Sequence, residues 1–148
     1  MKLSTKGRYA TRAMLELAMR YGKGPILLRE IAQSQEISER YLERIMIALV
    51  TAGLVRSTRG QHGGFNLAKP PREIRLDQVI QAVEGPITPV ACVDDPQSCD
   101  RHDICVTRDI WEKLKEAMLG VLDSITLENM VEMQKKKLKA SKNRMYNI

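Results

Sequence analysis

Ser38-Glu39-Arg40-Tyr41-Leu42-Glu43-Arg44-Ile45-Met46-Ile47-Ala48-Leu49-Val50-Thr51-Ala52 begins with a capping side chain and continues as an amphipathic pattern. Ser38 can accept from the free N–H groups of a first helical turn. Glu39 and Glu43 lie early, where the helix dipole favours negative charge. Tyr41, Leu42, Ile45, Met46 and Leu49 recur at helical spacing, and Gly53 ends the run. Directly after it, Leu54-Val55-Arg56-Ser57 and Phe65-Asn66-Leu67-Ala68 are short extended segments around Gly60-Gln61-His62-Gly63-Gly64. Those glycines supply the positive φ of a tight turn, so the pair reads as a hairpin.

Upstream, residues 5–22 read as a helix through Ala10, Ala13, Met14, Leu17, Ala18 and Tyr21, stopped by Gly22-Lys23-Gly24-Pro25. Leu28 to Gln33 forms a short second helix, and Glu36-Ile37-Ser38 is a turn. Helix, short helix, turn, longer helix and hairpin, in that order, is a winged helix-turn-helix. The expected fold is mainly α with a small β-hairpin wing, followed by a long dimerisation helix.

In that fold the helix from Ser38 to Ala52 is the recognition helix. Its apolar positions face the core, so Glu39, Arg40, Glu43 and Arg44 face outward, with Ser38 at the end that enters the major groove. Arg is the commonest reader of guanine, and Glu can accept from cytosine. Arg56, Ser57, Thr58 and Arg59 lead into the glycine turn that carries His62. An Arg at such a tip can enter the minor groove, where the potential is most negative. The expected contacts to double-stranded DNA are Ser38, Arg40, Tyr41, Glu43, Arg44, Arg59, Gly60 and His62.

Pro70-Pro71 interrupts the chain, and Leu76 to Glu84 reads as a helix closed by Gly85-Pro86. From Asp109 a longer helix carries Trp111, Leu114, Met118, Val121, Leu122 and Ile125 along one stripe. Little chain remains to cover that stripe, so it is expected to be a homodimer interface. Thr126 can cap a last short helix from Leu127, and Lys135-Lys136-Lys137-Leu138-Lys139 opens an expected frayed, basic tail. The expected division is a winged-helix domain over 1–84, a cysteine loop over 85–108, a dimerisation helix and short helix over 109–133, and a flexible tail over 134–148.

The net charge of +6 is uneven: residues 1–90 hold 14 Lys/Arg against 8 Asp/Glu, while residues 91–110 hold 2 against 5. A basic N-terminal part suits a polyanion partner through counterion release. No run approaches the roughly 18 apolar residues of a membrane span. The basic residues near the N-terminus have no apolar stretch behind them, so no signal peptide is expected and the protein is expected to be cytoplasmic.

All three cysteines fall in one acidic window, Cys92-Val-Asp-Asp-Pro-Gln-Ser-Cys99-Asp-Arg-His-Asp-Ile-Cys105. An odd number of thiols cannot pair completely within one chain, and reducing surroundings keep them available as ligands. Spacings of six and five intervening residues in a polar loop allow convergence on a soft metal centre. A redox thiol switch, a structural zinc module and thiols without a role are the alternatives. An enzyme is not expected. No phosphate loop, paired-carboxylate signature or Ser/His/Asp arrangement is present, His62 and His102 are the only histidines, and Cys-x-x-Cys is absent.

Lys6-Gly7-Arg8-Tyr9-Ala10, Ile37-Ser38 with Tyr41-Leu42-Glu43, Gly53-Leu54-Val55 with Arg59-Gly60 and Gly63-Gly64-Phe65, and the cysteine loop before Trp111 together form a specific combination. Over about residues 1–133 the chain resembles the winged-helix repressor family that includes the iron–sulfur cluster regulator IscR, the nitric-oxide sensor NsrR, the iron-responsive RirA and the cysteine-metabolism regulator CymR. The resemblance implies a homodimeric transcription factor with a 2Fe–2S cluster on Cys92, Cys99, Cys105 and a fourth ligand, reporting cluster supply and controlling cluster-biogenesis genes. A nitric-oxide or iron-responsive repressor of the same family is the alternative. It also places Glu43 at a position that discriminates between operator classes.

Three positions depart from the pattern. The IscR fourth ligand is a His three residues after the last Cys, and Arg108 stands there in this chain; Arg8 stands where NsrR has its acidic residue. Arg40 replaces a Ser of the IscR recognition helix, so a different operator sequence is expected. For the fourth ligand His102 is the first candidate. Asp103, Asp109, Glu43 or a group of the second subunit are the others.

Overall fold

The computed structural model describes residues 2–147. Ser4 caps the first helix, α1 (Thr5–Met19), its Oγ accepting from Gly7 N at 3.0 Å. α2 (Leu28–Gln35) starts where Leu27 N donates to Glu30 Oε2 at 3.2 Å. It ends at Glu36, which takes left-handed φ of 54° so that Ile37 N can donate back to Ala32 O at 2.9 Å. This helix-to-helix corner uses a non-glycine residue, which is why its sequence signal is weak. α3 (Glu39–Thr51) follows Ser38, whose Oγ accepts from Tyr41 N at 3.2 Å.

β1 (Val55–Thr58) and β2 (Gly64–Leu67) pair antiparallel with Val55 opposite Leu67 and Thr58 opposite Gly64. A third piece of chain joins them. Ile26 bridges to Phe65 by N–H···O bonds of 3.0 and 2.8 Å, so the wing is attached to the segment before α2. Gly64 makes this possible: at φ 144° it lies so close to Ile26 that a Cβ would sit 2.5 Å from the Ile26 carbonyl oxygen.

α4 (Leu76–Glu84) packs across α1, and its last residue, Glu84, accepts from Ser4 N at 3.1 Å and from the Ser4 hydroxyl. A short helix, α5 (Ala91–Asp94), and two 3-10 turns (Pro96–Ser98 and His102–Ile104) lead to α6 (Val106–Asp123). α7 (Leu127–Tyr146) closes the chain. The core joins Ala10, Met14 and Leu17 of α1 to Ile31 of α2, Leu42, Ile45, Met46 and Leu49 of α3, Val79 of α4 and Leu127 of α7.

Three differences from the sequence expectation stand out. α6 starts at Val106 rather than Asp109, because Cys105 takes the extended N-cap conformation directly after the 3-10 turn. α7 is not a stray short helix. Leu76 N donates to Ile125 O and Leu127 N to Ile74 O, both at 2.9 Å, and these bonds dock its first turn on the winged-helix core. The segment from 134, expected to be a flexible tail, continues α7 as helix through Tyr146. Its residues are strong helix formers without Gly or Pro, and Glu132 precedes Lys136 by four, a favourable helical spacing. None of the residues of α6 is fully buried: Trp111 and Val121 of the expected stripe are exposed, while Leu114, Met118 and Leu122 are half-buried.

Candidate nucleic-acid interface and cysteine loop

α3 presents Ser38, Glu39, Arg40, Glu43 and Arg44 to solvent on the face opposite Leu42, Ile45, Met46 and Leu49. The 3.6-residue period of the buried set leaves this exposed set contiguous over two turns. Ile47, 61% exposed, adds an apolar side chain to this face, and the sequence analysis assigned it no role. Tyr41 is half-buried, its ring standing edge-on to Tyr9 at 5.8 Å and 89°. Tyr9 in turn lies under the Arg12 guanidinium at 5.6 Å. Tyr41 therefore anchors α3 to α1, and only its outer edge faces away from the core.

The wing presents Arg56, Ser57, Thr58 and Arg59 as an exposed run ending at Gly60, whose φ is 107°. Gly63 N donates to Gly60 O at 3.1 Å and tightens the tip, with His62 exposed on it. α3, whose exposed face carries two Arg and two Glu, and the wing, with exposed Arg56 and Arg59, are thus two exposed elements on one core, the arrangement of a winged helix-turn-helix. The Ile26–Phe65 bridge that positions the wing had no local sequence signal, because a single-residue bridge leaves no alternating pattern.

The cysteine window folds as a chain of turns. Cys92 lies in α5, which is tied to α6 by an ion pair between Asp94 and Lys115. Asp95 Oδ1 accepts from Gln97 N at 3.0 Å, and Ser98 Oγ donates to Asp95 O at 2.7 Å. His102 N donates to Cys99 O at 3.2 Å, and Cys105 N-caps α6. Arg108 is held in the loop: its Nε lies 3.4 Å from Cys92 O and its Nη1 is 3.7 Å from Glu112 Oε2.

The three thiols are free and half-buried. Cys105 Sγ lies 3.1 Å from Thr107 Oγ1. That hydroxyl first, then the backbone N–H groups of α6 and the Arg101 charge, hold the Cys105 thiol below the usual cysteine range. The donor set, three thiols and one imidazole, is chemically suited to an iron–sulfur centre. Among the described residues no three His, Cys, Asp or Glu side chains are gathered into a ready metal site. One observation does point to a missing partner: His102 Nε2 is buried and has no hydrogen-bond partner. No helix among the described residues is long and apolar enough to cross a membrane.

Residues 3–133 match the Rrf2 family, described as iron-dependent transcriptional regulators. The regulator CymR of Bacillus subtilis is 42% identical over 130 residues, covering 88% of this chain and 89% of that protein. Its solved structure, described as the global cysteine regulator, matches with a TM-score of 0.76 over 90% of this chain and 98% of that one. The regulator IscR of Serratia proteamaculans is 40% identical over 134 residues, or 90% of this chain and 81% of that protein. The T. potens IscR structure matches with a TM-score of 0.78 at 41% identity, covering 93% of this chain and 90% of that one. The relatives are transcriptional regulators rather than enzymes, and the winged-helix core with its exposed recognition helix and wing is shared with them. The chain is a DNA-binding transcriptional regulator of the Rrf2 family.

Proposed function

We propose that this regulator acts in the cytoplasm as a homodimer whose operator binding is set by an iron–sulfur cluster on the loop over 85–108. The observation that carries the reading is the confinement of all three cysteines, each half-buried, to one loop between the winged-helix core and the partly exposed helix α6. Cys92, Cys99 and Cys105 would supply thiolate ligands to a 2Fe–2S cluster. When bound, the cluster supplies a redox-active, iron-dependent centre whose presence or loss changes the charge and shape of the loop. The loop transmits that change through bonds already formed. Asp94 engages Lys115, and Arg108 links Cys92 O to α6, so a shift of the loop moves α6. In a dimer, α6 sets the spacing of the two recognition helices and hence the half-sites that fit.

Dimerisation is supported by the exposed apolar stripe of α6, with Ile110 53% and Val121 59% exposed. It continues into a groove lined by Leu3, Ile80, Met118, Val121 and Leu122. The DNA-facing set is Ser38, Arg40, Glu43 and Arg44 of α3, the edge of Tyr41, and Arg59, Gly60 and His62 of the wing. Equal likeness to CymR supports a second reading, regulation through cysteine chemistry at Cys105, whose thiol is the one favoured as thiolate. The same loop also suits a nitric-oxide or iron signal, because both act on an iron–sulfur centre.

Anaerobic purification decides between them. A brown protein carrying iron and sulfide in equal amounts, whose operator footprint changes when the cluster is removed, supports the proposal. A colourless protein that stays colourless after anaerobic reconstitution, with a footprint that responds only to thiol oxidation, refutes it in favour of the second reading.

A further inference from the structure

We infer that His102, through Nε2, is the fourth ligand of the cluster, oriented for it by Asp103; this rests on the cluster reading above. A 2Fe–2S centre uses four terminal ligands, and imidazole replaces thiolate in known centres of this kind. The chain has three cysteines, so one ligand must be another group. Arg108 cannot serve, because its guanidinium has donors only. It is in any case committed to Cys92 O and Glu112.

Three carboxylates of the loop are already engaged. Asp94 pairs with Lys115, Asp95 Oδ1 caps Gln97 N, and Asp103 Oδ1 lies 3.0 Å from His102 Nδ1. Asp100 and Asp109 are exposed. His102 differs from all of them. Its Nε2 is the buried side-chain nitrogen or oxygen atom without a partner among the described residues. A buried polar atom left unpaired carries a desolvation cost unless something bonds to it.

A carboxylate only accepts, so the Asp103 contact calls for the proton on Nδ1, and in the neutral ring with that tautomer Nε2 offers its lone pair. A metal-bound histidine normally donates its other ring N–H to such a carboxylate, which fixes the ring and raises its basicity. The backbone completes the arrangement. His102 N bonds Cys99 O at 3.2 Å, and Cys105 follows the same 3-10 turn, so two of the three thiols flank the imidazole on one short segment. Ligation through Nε2 therefore leaves Asp94, Asp95 and Asp103 with the partners they already have.

The test uses full-length protein reconstituted anaerobically with iron and sulfide and then reduced with dithionite. Pulsed electron paramagnetic resonance on protein labelled with 15N-histidine should show a strongly coupled nitrogen in the parent and in His62→Ala. The coupling should be lost in His102→Ala. His102→Cys should restore cluster binding with an all-thiolate visible spectrum and no nitrogen coupling. Asp103→Asn should keep the coupling but lose cluster to a chelator on the order of tenfold faster. Far-UV circular dichroism confirms that each variant is folded. A nitrogen coupling that persists in His102→Ala, or a parent cluster without any, overturns this assignment while leaving the cluster reading intact. A folded parent that takes up no cluster overturns both.

Discussion

Leu127 tests how the C-terminal helix is joined to the DNA-binding core. Its side chain is fully buried, and it enters the core beside Ile74, also fully buried. Leu127 N donates to Ile74 O, and Leu76 N to Ile125 O, at 2.9 Å each, so the backbone on both sides is pinned and cannot relax into a void. Leu→Ala changes in cores cost about 2–5 kcal/mol, rising with the cavity that remains. With little room to collapse, Leu127→Ala should cost about 3–4 kcal/mol, again on that scale. For a chain of this size that lowers Tm by roughly 6–15 °C. Leu138 lies on the same helix but is 48% exposed beyond the core. Leu138→Ala should therefore cost less than about 0.5 kcal/mol. Thermal unfolding followed by circular dichroism, at one fixed protein concentration because any self-association shifts Tm, gives both values. Equal Tm losses in the two variants would show that α7 is not docked through Leu127.

Other outcomes follow from the same geometry. Arg59→Ala, at the exposed tip of the wing, should weaken operator binding by about 1–3 kcal/mol at equal salt without changing Tm; an unchanged titration excludes the wing as a DNA contact. Glu43→Ala removes an exposed carboxylate from α3; under the proposed DNA-facing role, that carboxylate disfavours any base unable to donate to it. The clusterless variant should then accept operators that the clusterless parent refuses, as read by competition footprinting. Gly64→Ala places a Cβ against the Ile26 backbone at a φ of 144°, so it should detach the wing and reduce DNA affinity more than Arg59→Ala does; wild-type affinity would refute the role of the Ile26 bridge. In protein without cluster, the lowered thiol of Cys105 is a thiolate to lower pH than an ordinary cysteine. Iodoacetamide mapping by mass spectrometry from pH 6 to 8 should show Cys105 labelled ahead of Cys92 and Cys99 at the acidic end.

Much of the DNA-binding half is legible in the sequence because its signals are local. Ser38, the period of Leu42, Ile45, Met46 and Leu49, and the glycines at 60, 63 and 64 act within a few residues of themselves. A 3.6-residue apolar period dictates which face of α3 is buried, and the exposed Arg40, Glu43 and Arg44 follow by exclusion. The cysteine window identifies its own donor chemistry through residue type and spacing. Helix ends were less legible: the left-handed Glu36 has no glycine to announce it, and the N-cap role of Cys105 arises from the turn before it.

Tertiary structure alone decided the long-range joins. The bonds of Ile26 to Phe65 and of Ile74 and Leu76 to the start of α7 connect segments about 40–50 residues apart, and a single bridge leaves no periodic trace in either segment. The same holds in the cysteine loop. Residue types put His102 ahead of Asp103 and Asp109 as a donor but do not exclude either carboxylate. Folding separates them by engaging the Asp103 carboxylate with one imidazole nitrogen and burying the other without a partner. Burial and hydrogen-bond pairing depend on which surfaces meet in space, a property that spacing along the chain does not carry.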